Sequence, residues 1–414
     1  MRDFGRSNDP RVQAQLDRLA ALSLPQGRLG LETIRALMER LGNPHRKLPP
    51  VFHVAGTNGK GSTSAFLRAM LEAEGYKVHV TTSPHLVRYN ERIRLAGELI
   101  SDEALADVLK EVLDAGEDLG PSFFEVTIAA AFLAFSRVPA DACVVEVGMG
   151  GRFDATNVLE PEALAACGIA ALGLDHERFL LAPEEGVPKE PMARIAFEKA
   201  GIAKRGVPLV TLHHTYHPEA QAAVAAVAAN AGAPLHPVAA LPASPLGLPG
   251  RHQALNAGLA AAMLRAQSRL GISEAAIIAG ATTARWPARM QRLATGPLVG
   301  SREVWLDGGH NPQAGAMLGA HFAGQRLHLV IGMIEGKDPA SLTAPLAPAL
   351  ASITAVPVPG HEWHPASAFG SEARSAPDVP GALAVIPEDG LPILIAGSLY
   401  LAGEVLRLND ELPD

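Results

Sequence analysis

The chain has 414 residues, 48% of them hydrophobic and 19% charged, so it can bury a sizeable core and is long enough for two domains. Its 35 basic and 43 acidic residues give a net charge of −8, which argues against a nucleic-acid partner. Two cysteines are too few for a disulfide scaffold or a four-cysteine zinc site, and apolar runs such as 126–135 are too short to cross a membrane, so we expect a soluble, cytoplasmic protein.

The first half of the chain has the pattern of a parallel α/β fold. Residues 10–42 have helical periodicity and end in LGNP, a combination that stops a helix. A strand at 51–55 then leads into a glycine-rich loop and a helix that ends at Gly75. The pattern continues with apolar runs that alternate with helical stretches, at 77–83, 142–148, 167–173 and 207–212. This alternation predicts a mainly parallel sheet covered by helices on both faces.

The second half predicts a smaller α/β domain. Residues 231–250, rich in Ala, Pro and Gly, are expected to form a loose connection, and 251–285 are expected to be helical. New strands follow at 303–307, 327–333, 352–358 and 392–397. We therefore predict one domain over residues 1–293 and a second over residues 294–414.

The stretch AGTNGKGST at 55–63 resembles a phosphate-binding loop with an altered spacing. The common loop begins with Gly and places Ser or Thr directly after its lysine, whereas here Val54 takes the first position and Gly61 separates Lys60 from Ser62. Glycines let backbone N–H groups approach phosphate oxygens, Lys60 adds a charge, and the next helix presents its positive end. This pattern predicts a phosphate-binding site.

Oxygen-bearing residues follow neighbouring strands of the predicted sheet. Ser83 lies at the end of the second strand and Glu146 at the end of the 142–147 strand, and this oxygen pair suits Mg²⁺. GLDH at 173–176 ends a third strand and adds His176. The G-x-G at 148–150 lacks the third glycine of a dinucleotide-binding loop, because Phe153 stands there.

An ordered set of motifs resembles one family: GTNGKGST, SPHLVRYNERIR, FFEVT, EVGMGGRFDATN, GLDH, IAFEKAGI, LPGRHQALNA, RMQ and DGGHNP. The set is similar to the bacterial bifunctional dihydrofolate synthase/folylpolyglutamate synthase family of the Mur-type ligases. It covers about residues 25–312, with a weaker echo in AGSLYLAGEV at 396–405. Two departures are Gly309, where the family usually has Ala, and the segment 177–194, which is longer and richer in Pro than usual.

The resemblance implies a Mur-ligase-like P-loop ATPase domain followed by a Rossmann-like α/β domain. It also implies a reaction in which ATP phosphorylates a carboxylate and an amine then displaces the phosphate. The partners would be ATP, L-glutamate, and dihydropteroate or a reduced folate, with two Mg²⁺ ions, no membrane and a monomeric enzyme. The reaction needs no protein nucleophile, because the protein chiefly positions two anions, neutralises their charge and excludes water.

The resemblance also assigns site residues. Asn58 through Ser62 would hold the β- and γ-phosphates. The wider ATP set would be Thr57, Asn58, Gly59, Lys60, Gly61, Ser62, Gln253, Asn256, Arg289, Asp307 and His310. Gln253 and Asn256 would face the adenine, because an amide matches its paired donor and acceptor.

The metal and folate sites are assigned in the same way. Ser83, Glu146 and His176 would bind the first Mg²⁺, and Lys199, in EKAG, matches a lysine that the family carbamylates to hold a second one. Lys60, His176 and Lys199 would be the catalytic residues. The pterin or folate site would comprise Ser122, Phe123, Phe124, Glu125, Phe153, Asp154 and Ala155, with Phe124 stacking on the ring and Asp154 accepting its N–H groups.

Three other functions are compatible with parts of the sequence. A P-loop kinase or NTPase would share the strand, loop and helix, but it usually carries Ser or Thr directly after the lysine and an Asp on the metal-binding strand. A non-catalytic ATP-binding regulator would bind nucleotide without releasing ADP in response to a pteroate and an amino acid. Another Mur-type ligase is disfavoured by SPHLVRYNERIR and FFEVT.

Overall fold

A computed structural model describes residues 7–22, 30–175, 177–242 and 245–413. These residues form two compact units. The first comprises the described residues up to Gly247 together with Gln253–Arg285, and the second comprises Leu248–His252 and the described residues from Trp286 onward. The second unit thus starts before residue 294, because Gln291–Arg292 is an edge strand that pairs with Val304–Asp307.

The first unit alternates strands and helices along the chain. Its elements are α1 (Pro10–Ala21), α2 (Glu32–Arg40), β1 (Val51–Ala55), α3 (Lys60–Ala73), β2 (Val78–Thr81), β3 (Ile93–Leu95), β4 (Glu98–Leu99), α4 (Asp102–Gly116), α5 (Phe123–Arg137), β5 (Ala142–Glu146), β6 (Leu164–Ile169), α6 (Glu177–Leu180), α7 (Pro191–Ala200), β7 (Leu209–Thr211), α8 (Pro218–Ala231), β8 (Leu235–Pro237), α9 (Gln253–Ala266) and α10 (Glu274–Thr283).

The sheet of the first unit has eight strands in the order β4-β3-β2-β5-β1-β6-β7-β8. The strands from β2 to β8 in this order pair in parallel, and β3 and β4 extend one edge with antiparallel pairing. The central strand β1 is buried along its whole length, as expected for a strand covered on both faces. Val54, near its end, pairs with Glu146 of β5 and with Gly168 of β6, so three strands end at the same edge.

Helix α3 follows β1 and lies deep in the first unit. Its small residues Gly61 to Ala65 are all buried, which lets α9 and α10 pack closely against it. Farther along the helix, Phe66, Leu67, Met70 and Leu71 are fully buried. The helix that carries the predicted phosphate loop is therefore fixed on several sides.

The second unit has its own six-stranded sheet in the order β13-β12-β11-β14-β10-β9, parallel except for β9. On one face, Leu327, Leu329 and Ile331 of the central strand β11 pack in a core that includes Leu318 and Leu342. The elements are β9 (Gln291–Arg292), β10 (Val304–Asp307), α11 (Pro312–His321), β11 (Leu327–Ile331), α12 (Ala340–Leu346), β12 (Leu350–Ala355), β13 (Arg374–Ser375), α13 (Val379–Val385), β14 (Ile393–Ala396) and α14 (Leu399–Leu408).

The two mainly parallel sheets confirm the predicted fold class. Each apolar run that we assigned to a strand overlaps one, although β6 and β12 begin before the predicted runs at 167–173 and 352–358. The predicted N-terminal helical segment contains α1 and α2, and the segment 251–285 contains α9 and α10. Among the described helices, none has the length and apolar character needed to cross a bilayer.

Candidate active site

The phosphate loop lies at the carboxyl end of β1, where ligands bind in open parallel sheets. Gly59 precedes α3 with φ of +82°, a conformation that favours glycine, and a Cβ atom there would lie 2.4 Å from Asn256 Oδ1. The first N–H groups of α3, from Lys60 onward, have no partner inside the helix. The loop therefore presents backbone donors and the positive end of a helix to an anion.

Hydrogen bonds tie this loop to the segment that follows β6. The Thr57 and Asn58 N–H groups donate to the Ala171 carbonyl at 2.8 and 3.2 Å. The Thr57 hydroxyl donates to the Gly173 carbonyl at 2.8 Å. The GLDH segment thus starts at the phosphate loop, although His176, predicted as a metal ligand and catalytic residue, lies outside the described residues.

Two lysines converge on one carbonyl of the loop. Lys60 Nζ donates to the Gly56 carbonyl at 3.2 Å, and Lys199 Nζ donates to the same carbonyl at 2.9 Å. Burial and the nearby Lys60 charge lower the pKa of Lys199 to about 7, although the charges of Asp175, Asp154 and Glu198 act in the opposite direction. A large fraction of Lys199 is therefore a neutral amine at neutral pH, the form that reacts with CO₂.

A cluster of buried and half-buried charges holds the helix that carries Lys199. Arg152 contacts Glu198 at 2.8 Å and Glu184 at 2.5 Å. Arg194 contacts the same two carboxylates, at 3.0 and 2.9 Å. The cluster balances two guanidinium groups against two carboxylates, an arrangement that limits the cost of burying charge.

The sequence did not reveal this charge cluster, because 177–194 stood out only as a long segment rich in Pro. Glu184 of that segment reaches Arg152, whose N–H also donates to the Glu198 carbonyl at 2.8 Å. The long segment is thus anchored to α7 and leaves Lys199 at the phosphate loop. The i,i+4 spacing of Arg194 and Glu198 was the one signal in the sequence.

The predicted metal ligands follow adjacent strands. Ser83 lies just beyond β2, and Glu146 is the buried last residue of β5, beside Val54 of β1. A hydroxyl and a carboxylate are hard oxygen donors, so their chemistry fits Mg²⁺ or a similar divalent cation. Within the described ranges, no group of three or more His, Cys, Asp or Glu residues is arranged to hold a metal ion. The predicted first site combines Ser83 and Glu146 with His176, which lies outside the described residues, and Lys199 belongs to the second site, so both metal sites stay predictions.

Gln253 and Asn256 lie at the start of α9, against the phosphate loop. Gln253 Nε2 donates to the Ser62 hydroxyl at 3.3 Å, and Asn256 Nδ2 donates to Gln253 Oε1 at 2.8 Å. Both amides are at least nine-tenths buried, and Asn256 Oδ1 faces Gly59. The two residues thus belong to the surroundings of the loop, and their contact with adenine stays a prediction.

The predicted folate residues on α5 begin with a capping box. The Ser122 N–H donates to Glu125 Oε2 at 2.8 Å, and the Glu125 N–H donates to the Ser122 hydroxyl at 3.3 Å. The Phe123 ring makes an edge contact with Tyr89, with 5.9 Å between centroids. The Phe124 ring lies against Gly148, where a Cβ atom would be 2.4 Å from the ring.

Residues 153–155 form a loop that lies near α7. The Arg152 guanidinium lies 4.3 Å from the centroid of the Phe153 ring. Asp154 accepts hydrogen bonds from the Met149 N–H at 2.9 Å and from the Thr156 N–H at 3.0 Å, and burial raises its pKa. Asp154 therefore stabilises its own loop, a role that the sequence did not indicate. Ala155 is buried, and contacts of this loop with a pterin stay a prediction.

In the second unit, the three predicted nucleotide residues lie close together at the end of β10. Asp307 accepts from the Met290 N–H at 2.8 Å and from the Gly309 N–H at 2.7 Å. Burial raises the pKa of Asp307, while the Arg289 charge lowers it. His310 Nδ1 lies 3.3 Å from the Gly308 carbonyl. The RMQ and DGGHNP motifs thus form one local structure around a buried carboxylate.

A glycine loop with two lysines at the end of a central parallel strand, followed by a second α/β unit, defines a nucleotide-binding protein with a Mur-ligase-like fold. No family model matches the chain. The chain is 37% identical over 346 residues to the dihydrofolate synthase/folylpolyglutamate synthase of Bacillus subtilis, a match that covers 74% of this chain and 76% of the relative.

Solved structures agree with this relationship. FolC of E. coli, in complex with DHPP and ADP, has a TM-score of 0.82 at 30% identity, with 96% of this chain and 97% of that chain covered. The bifunctional folylpolyglutamate synthase/dihydrofolate synthase of Yersinia pestis, complexed with AMPPNP and Mn ion, has a TM-score of 0.81 at 28% identity, with the same coverage. The protein belongs to the dihydrofolate synthase/folylpolyglutamate synthase family, which confirms the resemblance found in the sequence.

Proposed function

We propose that this protein joins L-glutamate to the carboxylate of dihydropteroate, of a reduced folate, or of both, and converts ATP to ADP and phosphate. The enzyme is an ATP-dependent ligase. The observation that carries the proposal is the convergence of Lys60 and Lys199 on the Gly56 carbonyl, at the phosphate loop. The family relationship identifies the substrates that this site serves.

The chemistry requires the site to bring two anions together. The substrate carboxylate attacks the γ-phosphorus of ATP, and the amine of L-glutamate then attacks the acyl phosphate and displaces phosphate. The N–H groups at the start of α3 and the Lys60 ammonium neutralise the charge of the transferring phosphoryl group. Lys60 now donates to carbonyls of its own loop at 3.2 and 3.4 Å, and a phosphate oxygen would replace these partners.

Ser83, Glu146 and His176 would hold one Mg²⁺, and carbamylated Lys199 would supply an oxygen ligand to a second. Bound metal ions would offset the charge of the phosphates and help to orient them. Lys199 suits this role because its lowered pKa leaves a neutral amine available to CO₂. The solved relative with AMPPNP and Mn ion supports a divalent metal in this family.

The remaining contacts are proposed from the placement of each residue. Gln253 and Asn256 adjoin the loop and would contact the nucleotide, and Arg289, Asp307 and His310 would be the nucleotide-contacting residues of the second unit. Phe124 and the loop 153–155 would contact the pterin. We propose a monomer, as the family resemblance implies. We also propose that it acts in the cytoplasm, which fits the free, buried thiols of Cys143 and Cys167.

An acceptor assay tests the proposal and identifies the substrate. The purified chain is incubated with ATP, Mg²⁺ and L-glutamate, and either dihydropteroate or tetrahydrofolate is added. ADP release and product mass are then followed, and mixtures that omit glutamate or the acceptor serve as controls. We expect ADP release to depend on both substrates and the product to gain one glutamyl residue. ADP release that is the same in the control mixtures would instead identify an NTPase.

A further inference from the structure

A cavity of about 500 Å³ opens in the second unit. It is lined by His328, near the start of β11, and by Leu391, just before β14. Asp307 lies at the carboxyl end of β10, which runs parallel to β14. Thr354 of β12 and Arg374 of β13 also line the cavity, and the strands β11 and β14 lie between them and Asp307 in the sheet. The cavity is therefore separate from the proposed nucleotide residues of this unit.

The floor of the cavity is polar where a covered parallel sheet is usually apolar. His328 and Thr354 are 3% and 1% exposed, and both lie on the sheet face opposite the core formed by Leu327, Leu329 and Ile331. Buried polar groups cost free energy unless they find partners. A local departure from the apolar pattern is typical of a functional site.

The polar floor is held by a chain of hydrogen bonds. His328 Nδ1 lies 2.7 Å from the Ser352 hydroxyl, and His328 Nε2 lies 3.2 Å from both carboxylate oxygens of Asp389. The Leu391 N–H also donates to Asp389, at 3.1 Å. Because an ionised carboxylate only accepts, Nε2 donates to Asp389, and Nδ1 shares a hydrogen bond with the Ser352 hydroxyl. The Ser352 hydroxyl lines the cavity, and a hydroxyl can make further hydrogen bonds to a ligand there.

Two arginines provide the positive charge of the cavity. Arg326 and Arg374 both line it, and Arg374 pairs in the sheet with Thr354 of the floor. Within the part of the chain that the structure describes, neither guanidinium has a hydrogen-bond or ion-pair partner, whereas Arg302 and Arg407 of the same unit both pair with glutamates. A guanidinium group matches the geometry of carboxylate and phosphate oxygens.

We propose that this cavity binds a small anion with a carboxylate or phosphate group and a hydroxyl group. Arg326 and Arg374 would bind the anionic oxygens, and the Ser352 hydroxyl would share a hydrogen bond with the ligand hydroxyl. The volume lies in the range of small-molecule sites. The proposal does not depend on the ligase reaction, because none of these residues takes part in it.

Calorimetric titration of the full chain tests the site. Inorganic phosphate and L-malate are the probes, because each carries anionic oxygens and a hydroxyl group, and the pair distinguishes phosphate from carboxylate ligands. The variants are the double substitution Arg326→Gln/Arg374→Gln and the control Arg205→Gln, which changes an exposed arginine of the first unit. We expect at least one probe to bind the wild type and the control with equal Kd. Its Kd for the double variant should be higher by on the order of tenfold or more.

The outcome decides the proposal in either direction. If a probe binds the wild type and the double variant equally tightly, its site lies elsewhere, for instance at the phosphate loop, and the proposal is wrong. The proposal is also wrong if neither probe binds the wild type. Unchanged melting temperature and ligase turnover would show that the double variant is folded. A crystal soaked with the binding probe should then show it in contact with both guanidinium groups.

Discussion

Replacing Lys199 by Met should make the protein more stable and inactive. Lys199 is 3% exposed, and its pKa is about 7, compared with an ordinary value of 10.5. At about 1.4 kcal/mol per pH unit, this difference corresponds to a penalty of about 5 kcal/mol where both states are fully protonated. At pH 7 the penalty is about 4 kcal/mol, because about half of the folded chains have already lost the proton. Removing the hydrogen bond to the Gly56 carbonyl would cost on the order of 1–2 kcal/mol. The net expectation is a gain in the free energy of unfolding of roughly 2 kcal/mol at pH 7.

The gain should depend on pH with a definite sign. Between pH 7 and 10.5 the unfolded chain binds a proton at Lys199 that the folded chain does not, so wild-type stability rises with pH across this window. Below pH 7 both states are protonated and the whole penalty is present. The advantage of Lys199→Met should therefore be largest below pH 7 and should disappear as pH approaches 10.

Urea unfolding between pH 6 and 10, in buffer depleted of CO₂, measures this difference. Lys47→Met serves as the control, because Lys47 is exposed and its replacement should leave both stability and turnover unchanged. If Lys199→Met is less stable than the wild type at pH 6.5, or if its effect on stability does not vary with pH, the interpretation of Lys199 as a buried amine with a lowered pKa is wrong. Full ligase turnover by the variant would exclude a catalytic role for Lys199.

Three further substitutions test other parts of the site. Lys60→Ala should lower kcat by about 10²-fold or more with the fold retained, because a preorganised charge at the phosphoryl group is lost; near-normal turnover would refute the phosphate-loop assignment. Glu184→Gln removes the charge that faces Arg152, so we expect a lower melting temperature and reduced turnover, with Glu185→Gln as the neighbouring control; equal values for the two variants would contradict the anchoring role. Gly148→Ala drives a methyl group into the Phe124 ring and should raise KM for the folate substrate while leaving KM for ATP unchanged; a change confined to ATP would argue against Phe124 as a folate contact.

The sequence predicted the centre of the first unit well because local and tertiary preferences agree there. An apolar run predicts β1, helical periodicity predicts α3, and the glycine loop lies between them. The structure has all three in these positions. The short strands at or next to the sheet edges were missed. β3, β4 and β8 have only two or three residues, and their pairing depends on neighbours that periodicity does not reveal.

The candidate site was predictable only where residues lie in motifs. Lys60 and Lys199 were found in this way. Their shared contact with the Gly56 carbonyl was not, because Lys199 and Gly56 are 143 residues apart in the chain. The contact of Glu184 with Arg152 likewise depends on how the segment 177–194 folds onto α7. The hydrogen bonds that Asp154 accepts within its own loop could not be predicted either, since a sequence does not show which N–H groups a carboxylate contacts.

Transfer of oxygen from the acceptor carboxylate to phosphate tests the central claim most directly. The folate or pteroate acceptor identified by the assay is labelled with ¹⁸O in its reacting carboxylate, and one round of reaction with ATP and L-glutamate is followed by mass spectrometry of the phosphate. Activation of the carboxylate by ATP predicts that one ¹⁸O atom appears in each phosphate released. Phosphate free of ¹⁸O, with ADP still formed, would show that water attacks ATP and that the protein is not a ligase of this kind.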